Sequence, residues 1–149
     1  MPRIERTATI SWDGSLSRGE GHLTAASSGA FAELPYSLAA RVGAPEGKTS
    51  PEELLAAAHG GCLTMSVAGE LSRAGTPPGR LDATCLIIMD EVEGQGHQIV
   101  GSHVDVVATA DGLDDAGLQA ALAEADGGCP FSALLKRAGV DVRISARLA

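Results

Sequence analysis

A single helix-start signal constrains this chain more than anything else in it. Ser50 is suited to cap a helix, Pro51 to occupy its first position, and Glu53, three residues after Ser50, completes a capping box. Leu54, Leu55, Ala58, Cys62 and Met65 then recur at helical spacing, and the pattern runs to about Arg73 before Gly75 and Pro77-Pro78 end it. The interior pair Gly60-Gly61 costs about 2 kcal/mol of helix propensity relative to alanine, which makes sense where another backbone approaches closely. Spacing alone does not separate a helix crossing within the chain from the approach of a second subunit.

The flanking segments supply short strands. Ala8, Ile10 and Trp12 alternate with polar residues, Asp13-Gly14 breaks the run, and the pattern resumes before Gly19-Glu20-Gly21, as strand, tight turn and strand. From Ala39 to Lys48 the chain reads as a loop, and Arg41 stands in it. Leu81, Ala83, Cys85, Ile87 and Met89 share one strand face, and Ile99 to Thr109 returns across Glu93-Gly94-Gln95-Gly96 as a hairpin. Leu118, Ala121, Leu122 and Ala125 follow at helical spacing, and Gly127-Gly128 breaks that run. A short helix spans Pro130 to Arg137, ending at Gly139, and Val140, Val142, Ile144, Ala146 and Leu148 alternate as a last strand. The sum is one α+β domain over residues 1–149, with antiparallel strands packed on a long central helix. No crossover pattern suggests a parallel sheet.

Charge narrows the partners. A formal net charge of −8 opposes binding to phosphate backbones and to anionic membrane surfaces, so neither nucleic acid nor membrane is expected. No apolar run approaches the roughly 20 residues that span a bilayer. Met1-Pro2-Arg3-Ile4-Glu5-Arg6 leads into polar sequence and not into a signal core, which makes the cytoplasm the expected compartment. Three cysteines form an odd, sparse set, and in a reducing cytosol such thiols tend to be reactive or buried.

Two of them carry chemistry. Cys62 lies within the long helix and Cys129 at the start of the short one, so together they can supply a nucleophile and a partner that recycles it through a disulfide. A thiol attacks only as thiolate, and in mid-helix Cys62 gains nothing from a helix terminus, so a cation has to come from elsewhere. Arg41 is the nearest candidate in sequence, and Glu52, freer than Glu53, is the carboxylate to hold it. Glu52 and Cys62 are ten positions apart, roughly 15 Å along a helix. The two cannot touch, so either the Arg41 loop folds back or a second subunit contributes the pair. Cys129, just before Pro130, feels the positive end of its own helix, and the residues leave the order of attack open.

Cys85, inward on a strand, reads as structural. His59 shares a helix face with Cys62, as a Cys/His acyl-transfer pair would require. No Asn or Asp is placed to orient it as a base, and a locally hydrogen-bonded histidine is the preferred reading. His22, His97 and His103 lack ligand companions, and Gly94 and Gly96 lack the third glycine and following helix of a dinucleotide site, so no metal or cofactor is expected.

The run from Thr49 to Leu55 leading to Ala58-His59-Gly60-Gly61-Cys62, with Cys129-Pro130 later and Leu34-Pro35-Tyr36 before Arg41, resembles the OsmC/Ohr family of peroxide-resistance proteins over essentially the whole chain. The resemblance implies an intertwined α+β homodimer that reduces organic hydroperoxides, with H2O2 as a further substrate, in oxidative or osmotic stress defence. It makes Cys62 the peroxidatic and Cys129 the resolving cysteine, and matches Arg41 and Glu52 to the activating pair. Placement of Arg41 is more similar to the OsmC branch, and Arg18 is the match if the Ohr arrangement applies. A dithiol reductant, of lipoyl type by resemblance, closes the implied cycle. The alternative from another class is a redox-sensing or small-ligand-binding dimeric module with no turnover.

Overall fold

Residues 2–149 are described in the computed structural model, in two units, one up to Pro51 and one from Glu52 to Ala149. In the first unit, β1 (Thr9–Asp13), β2 (Glu20–Thr24) and β3 (Leu34–Tyr36) form an antiparallel sheet in that order. Gly21 pairs with Trp12 on one side and Tyr36 on the other. A Cβ there would lie 2.3 Å from the Tyr36 ring, so only glycine lets the two aromatic rings approach to 5.5 Å between centroids. Lys48 forms a salt bridge with Glu20, which ties the segment ahead of Pro51 back to β2.

The loop expected from Ala39 begins instead as a helix, α1 (Leu38–Val42). Ser37 caps it, its Oγ accepting from the Ala40 N–H at 3.2 Å. Five residues are too few for an apolar period to show in the sequence, and Arg41 accordingly sits in a helical turn.

In the second unit the long helix, α2 (Pro51–Arg73), starts and stops where its signals predict. β4 (Arg80–Val92) and β5 (Gly96–Thr109) form the expected hairpin, with a register shift between Ile88 and Met89 that interrupts the single face read along β4. Next come α3 (Asp115–Gly128), capped by Asp114, then α4 (Pro130–Arg137) and β6 (Asp141–Leu148). β6 alternates exposed and half-buried residues along its length, as its pattern predicts.

One expectation is overturned here: β6 joins β5 in parallel, Val104 opposite Ile144. The two short helices between the strands act as a crossover that carries the chain back to the same end of the sheet. Gly127-Gly128, expected to break the run, are instead the last two residues of α3, and only Cys129 separates α3 from α4, so the sequence reads as two fragments and not as one crossover.

The core of this unit lies between α2, β5 and α3. Leu63, Val67 and Leu71 pack with Val104, Val106, Ala121, Leu122 and Ala125, and Cys129 belongs to the same cluster. The alanines of α3 permit its close approach. Gly60 meets the sheet of its own chain, where a Cβ would come within 3.0 Å of the Cys85 Cβ, whereas Gly61 faces open space. The glycine pair therefore combines one intrachain crossing with one uncovered position.

A second correction concerns membranes. By length and composition alone α2, 23 residues long and containing an 18-residue window of mean hydropathy 1.2, is long and apolar enough to cross a bilayer. Alanine, leucine and valine raise that mean although His59, Thr64 and Ser66 interrupt any continuous apolar run. In this fold Leu63, Val67 and Leu71 are fully buried within the chain, while Met65 on the other face is 76% exposed.

Leu63→Ala should therefore remove about 3 kcal/mol of stability through transfer and cavity costs combined. Urea unfolding followed by circular dichroism measures it, and a loss below about 1 kcal/mol would mean that Leu63 is not in the core.

Candidate functional site

The corner between α3 and α4 decides where the thiols lie. Cys129 closes α3 and serves as N-cap of α4, with Pro130 in the first turn. Its side chain is fully buried against α2. Cys62 is half-buried on α2, and the two sulfurs, 67 positions apart in sequence, are 3.4 Å apart. All three cysteines are free thiols. A disulfide bond is about 2.05 Å long, so roughly 1.4 Å of closure separates this contact from a covalent link.

The electrostatics at Cys62 run against activation within this unit. Burial pushes its thiol above the ordinary range, and the neighbouring Cys129 thiol pushes it in the same direction. One group opposes them: the Phe131 backbone N–H, which hydrogen-bonds the Cys62 sulfur. The expectation that no helix terminus helps Cys62 is thereby corrected. Pro130 has no N–H to give, so Phe131 offers an unpaired first-turn donor of α4, and it reaches across to the thiol on α2. Sequence reading assigned that helix end to Cys129 alone because the contact is tertiary.

His59 is fully buried. Its Nδ1 is 2.7 Å from Ser102 Oγ on β5, and its Nε2 is 2.9 Å from Ser132 Oγ on α4. Burial holds the imidazole below its ordinary range, so it stays neutral near pH 7. This agrees with the hydrogen-bonded reading of His59. The two serines escaped sequence reading, although Ser132 is one helical turn beyond Cys129.

Cys85 sits elsewhere on the sheet, its Sγ 3.8 Å from Ser102 Oγ and its thiol pushed up by burial. Together with Gly60, Gly61, Thr64 and Met65 it lines an open cavity of about 710 Å³ on the uncovered side of α2.

Of the activating groups, Glu52 is in the first turn of α2. Arg41 is in the last turn of α1, and Arg18 is in the turn between β1 and β2, its N–H bonded to Ser15 O at 3.3 Å. Arg41 and Arg18 thus belong to the first unit and Glu52 to the second. Among the described residues no cluster of three or more His, Cys, Asp or Glu could hold a metal ion.

Comparison with known proteins agrees with this arrangement of elements. A family model described as OsmC-like protein matches residues 43–145. Peroxiredoxin OsmC of Escherichia coli is 31% identical over 133 residues, covering 89% of this chain and 91% of that protein. An organic hydroperoxide resistance protein of Bacillus subtilis superposes with a TM-score of 0.70 at 22% identity, over 95% of this chain and 98% of the other. An OsmC-like protein of unknown function from Vibrio cholerae reaches a TM-score of 0.78 at 12% identity, over 97% and 100% of the two chains. A curated relative aligned along nine-tenths of the sequence, together with a family match across α2, the hairpin and both cysteines, shows that this chain belongs to the OsmC-like protein family.

Proposed function

We propose that the chain is a thiol-dependent peroxidase that reduces organic hydroperoxides, with Cys62 as the attacking and Cys129 as the resolving cysteine. The observation that carries this reading is the 3.4 Å contact between two free thiols at the junction of α2 and α4. The names of its relatives, a peroxiredoxin and an organic hydroperoxide resistance protein, support the same chemistry.

In the first step the Cys62 thiolate attacks one peroxide oxygen. The O–O bond breaks, the leaving alkoxide takes a proton to become an alcohol, and Cys62 becomes a sulfenic acid. The Cys129 sulfur then displaces the sulfenic oxygen, which departs as water, and the disulfide forms. A dithiol such as a lipoyl group returns both cysteines to thiols and leaves as its own cyclic disulfide. H2O2 enters the same cycle and yields water in place of the alcohol.

Burial holds Cys62 above the ordinary thiol range, so the reading requires a cation at the sulfur. We assign it to Arg41 with Glu52 as its partner, and Arg18 takes the role in the alternative arrangement. The two units act as one OsmC-like domain in a cytoplasmic homodimer, and the uncovered side of α2, with Gly61 open and Met65 exposed, is a face for the second copy.

One equivalent of cumene hydroperoxide should produce a Cys62 to Cys129 disulfide visible as a linked peptide by mass spectrometry. Cys129→Ser should instead leave a Cys62 sulfenic acid that dimedone traps. Two fully alkylatable thiols after peroxide would sink the peroxidase reading.

The pH profile tests the cation. A raised thiol holds little thiolate at neutral pH, so in Arg41→Ala the alkylation rate of Cys62 should climb about tenfold per unit through pH 9. In the native protein the curve should level off lower, and peroxide oxidation at pH 7 should be about tenfold to a hundredfold faster than in Arg41→Ala. Superimposable curves would remove Arg41 from the site.

Gly61→Arg, placed where nothing beyond its own helical turn lies within 4 Å of the added Cβ, should leave the fold intact and yield a monomer in sedimentation. A dimer that survives this change does not use that face.

A further inference from the structure

The sulfur contact is one of two bridges between α2 and α4. His59 precedes Cys62 by three residues on α2, and Ser132 follows Cys129 by three residues on α4, so the second bridge lies one helical turn, about 5 Å, from the first. His59, Ser102 and Ser132 are each fully buried. A neutral imidazole has one donor and one acceptor nitrogen, so one serine hydroxyl accepts from it and the other donates to it. Ser102 fixes the ring to β5 at 2.7 Å, and the ring in turn holds the first turn of α4 at 2.9 Å. Two attachments a turn apart fix both the slide and the rotation of a helix, whereas one leaves it free to pivot. α4 is also tied to α3 by the Asp126 and Lys136 ion pair, a further attachment of the short helix.

We propose that His59 is a positioning residue for disulfide closure: its imidazole seats the first turn of α4 so that Cys129 lies within reach of Cys62. The inference rests on the reading of these two cysteines as the redox pair, but it does not depend on peroxide as the oxidant. His59 touches neither sulfur in this role and transfers no proton.

The full-length chain equilibrated with oxidised and reduced dithiothreitol tests it. Two protein thiols give up two electrons and two protons to the cyclic disulfide of the reagent, which becomes the dithiol. Peptide mapping of the Cys62 to Cys129 link gives the effective concentration of the pair, and the melting temperature is recorded on the same samples. Ser132→Ala and His59→Ala are each expected to lower the effective concentration about tenfold, with the double variant no lower than His59→Ala alone, because both changes cut one bridge. A fall of fivefold or more with that non-additivity supports the proposal. A smaller fall, even with a lower melting temperature, shows a role in stability only and overturns it, as do additive losses.

If His59→Ala does not fold, the fivefold criterion is applied to Ser132→Ala alone. A native chain that never forms the disulfide also overturns the proposal. A chain that forms it with dithiothreitol but consumes no hydroperoxide would remove the peroxidase reading and leave this one standing.

Discussion

Everything at the thiol pair depends on how the first turn of α4 is seated on α2. That seat is built from packing and polar contacts together. Cys129 belongs to the apolar cluster of Leu63, Val67, Val104 and Leu122, and Phe131 packs against the same cluster. A buried imidazole crosses from α2 to Ser132 one turn along. Burying a polar ring is costly unless both nitrogens are satisfied, and here two buried hydroxyls satisfy them. Loss of either serine would leave a desolvated nitrogen in the core, so the polar bridge acts as a geometric constraint more than as a source of stability.

The same burial creates the electrostatic problem that the function has to solve. A dry environment keeps side reactions away from a thiol but disfavours the thiolate that reacts. Within the second unit one backbone N–H, that of Phe131, opposes burial and the neighbouring Cys129 at the Cys62 sulfur. An arginine is the group best suited to make up the difference, since its charge survives desolvation and its donors fit both thiolate and peroxide oxygen. The proposed role of Arg41 follows from this imbalance as much as from family resemblance.

Local signals in the sequence carried most of the second unit. The cap, proline and glycine marks around α2, the alternation of β6 and the stop at Gly139 each report a backbone preference of nearby residues, and each of those elements lies where the marks put it, whereas α3 runs through the expected break at Gly127-Gly128. What stayed hidden was tertiary. The parallel pairing of β6 with β5 depends on where two helices deliver the chain, and the Phe131 N–H at Cys62 depends on helix packing across 69 residues of sequence. His59 shows both sides: its apolar surroundings pointed to a buried, hydrogen-bonded ring, but nothing local could name Ser102 and Ser132 as its partners. The cysteine pair was legible as two reactive candidates, while their order of attack came from family resemblance and not from the residues themselves.

The central claim, that Cys62 and Cys129 run a catalytic cycle, is tested most directly by multiple turnover. Hydroperoxide consumption is followed with excess cumene hydroperoxide and dihydrolipoamide in the native chain and in Cys62→Ser. The account predicts many equivalents of peroxide reduced per native chain and none by Cys62→Ser. Consumption that stops at one equivalent, or that persists without Cys62, would contradict it.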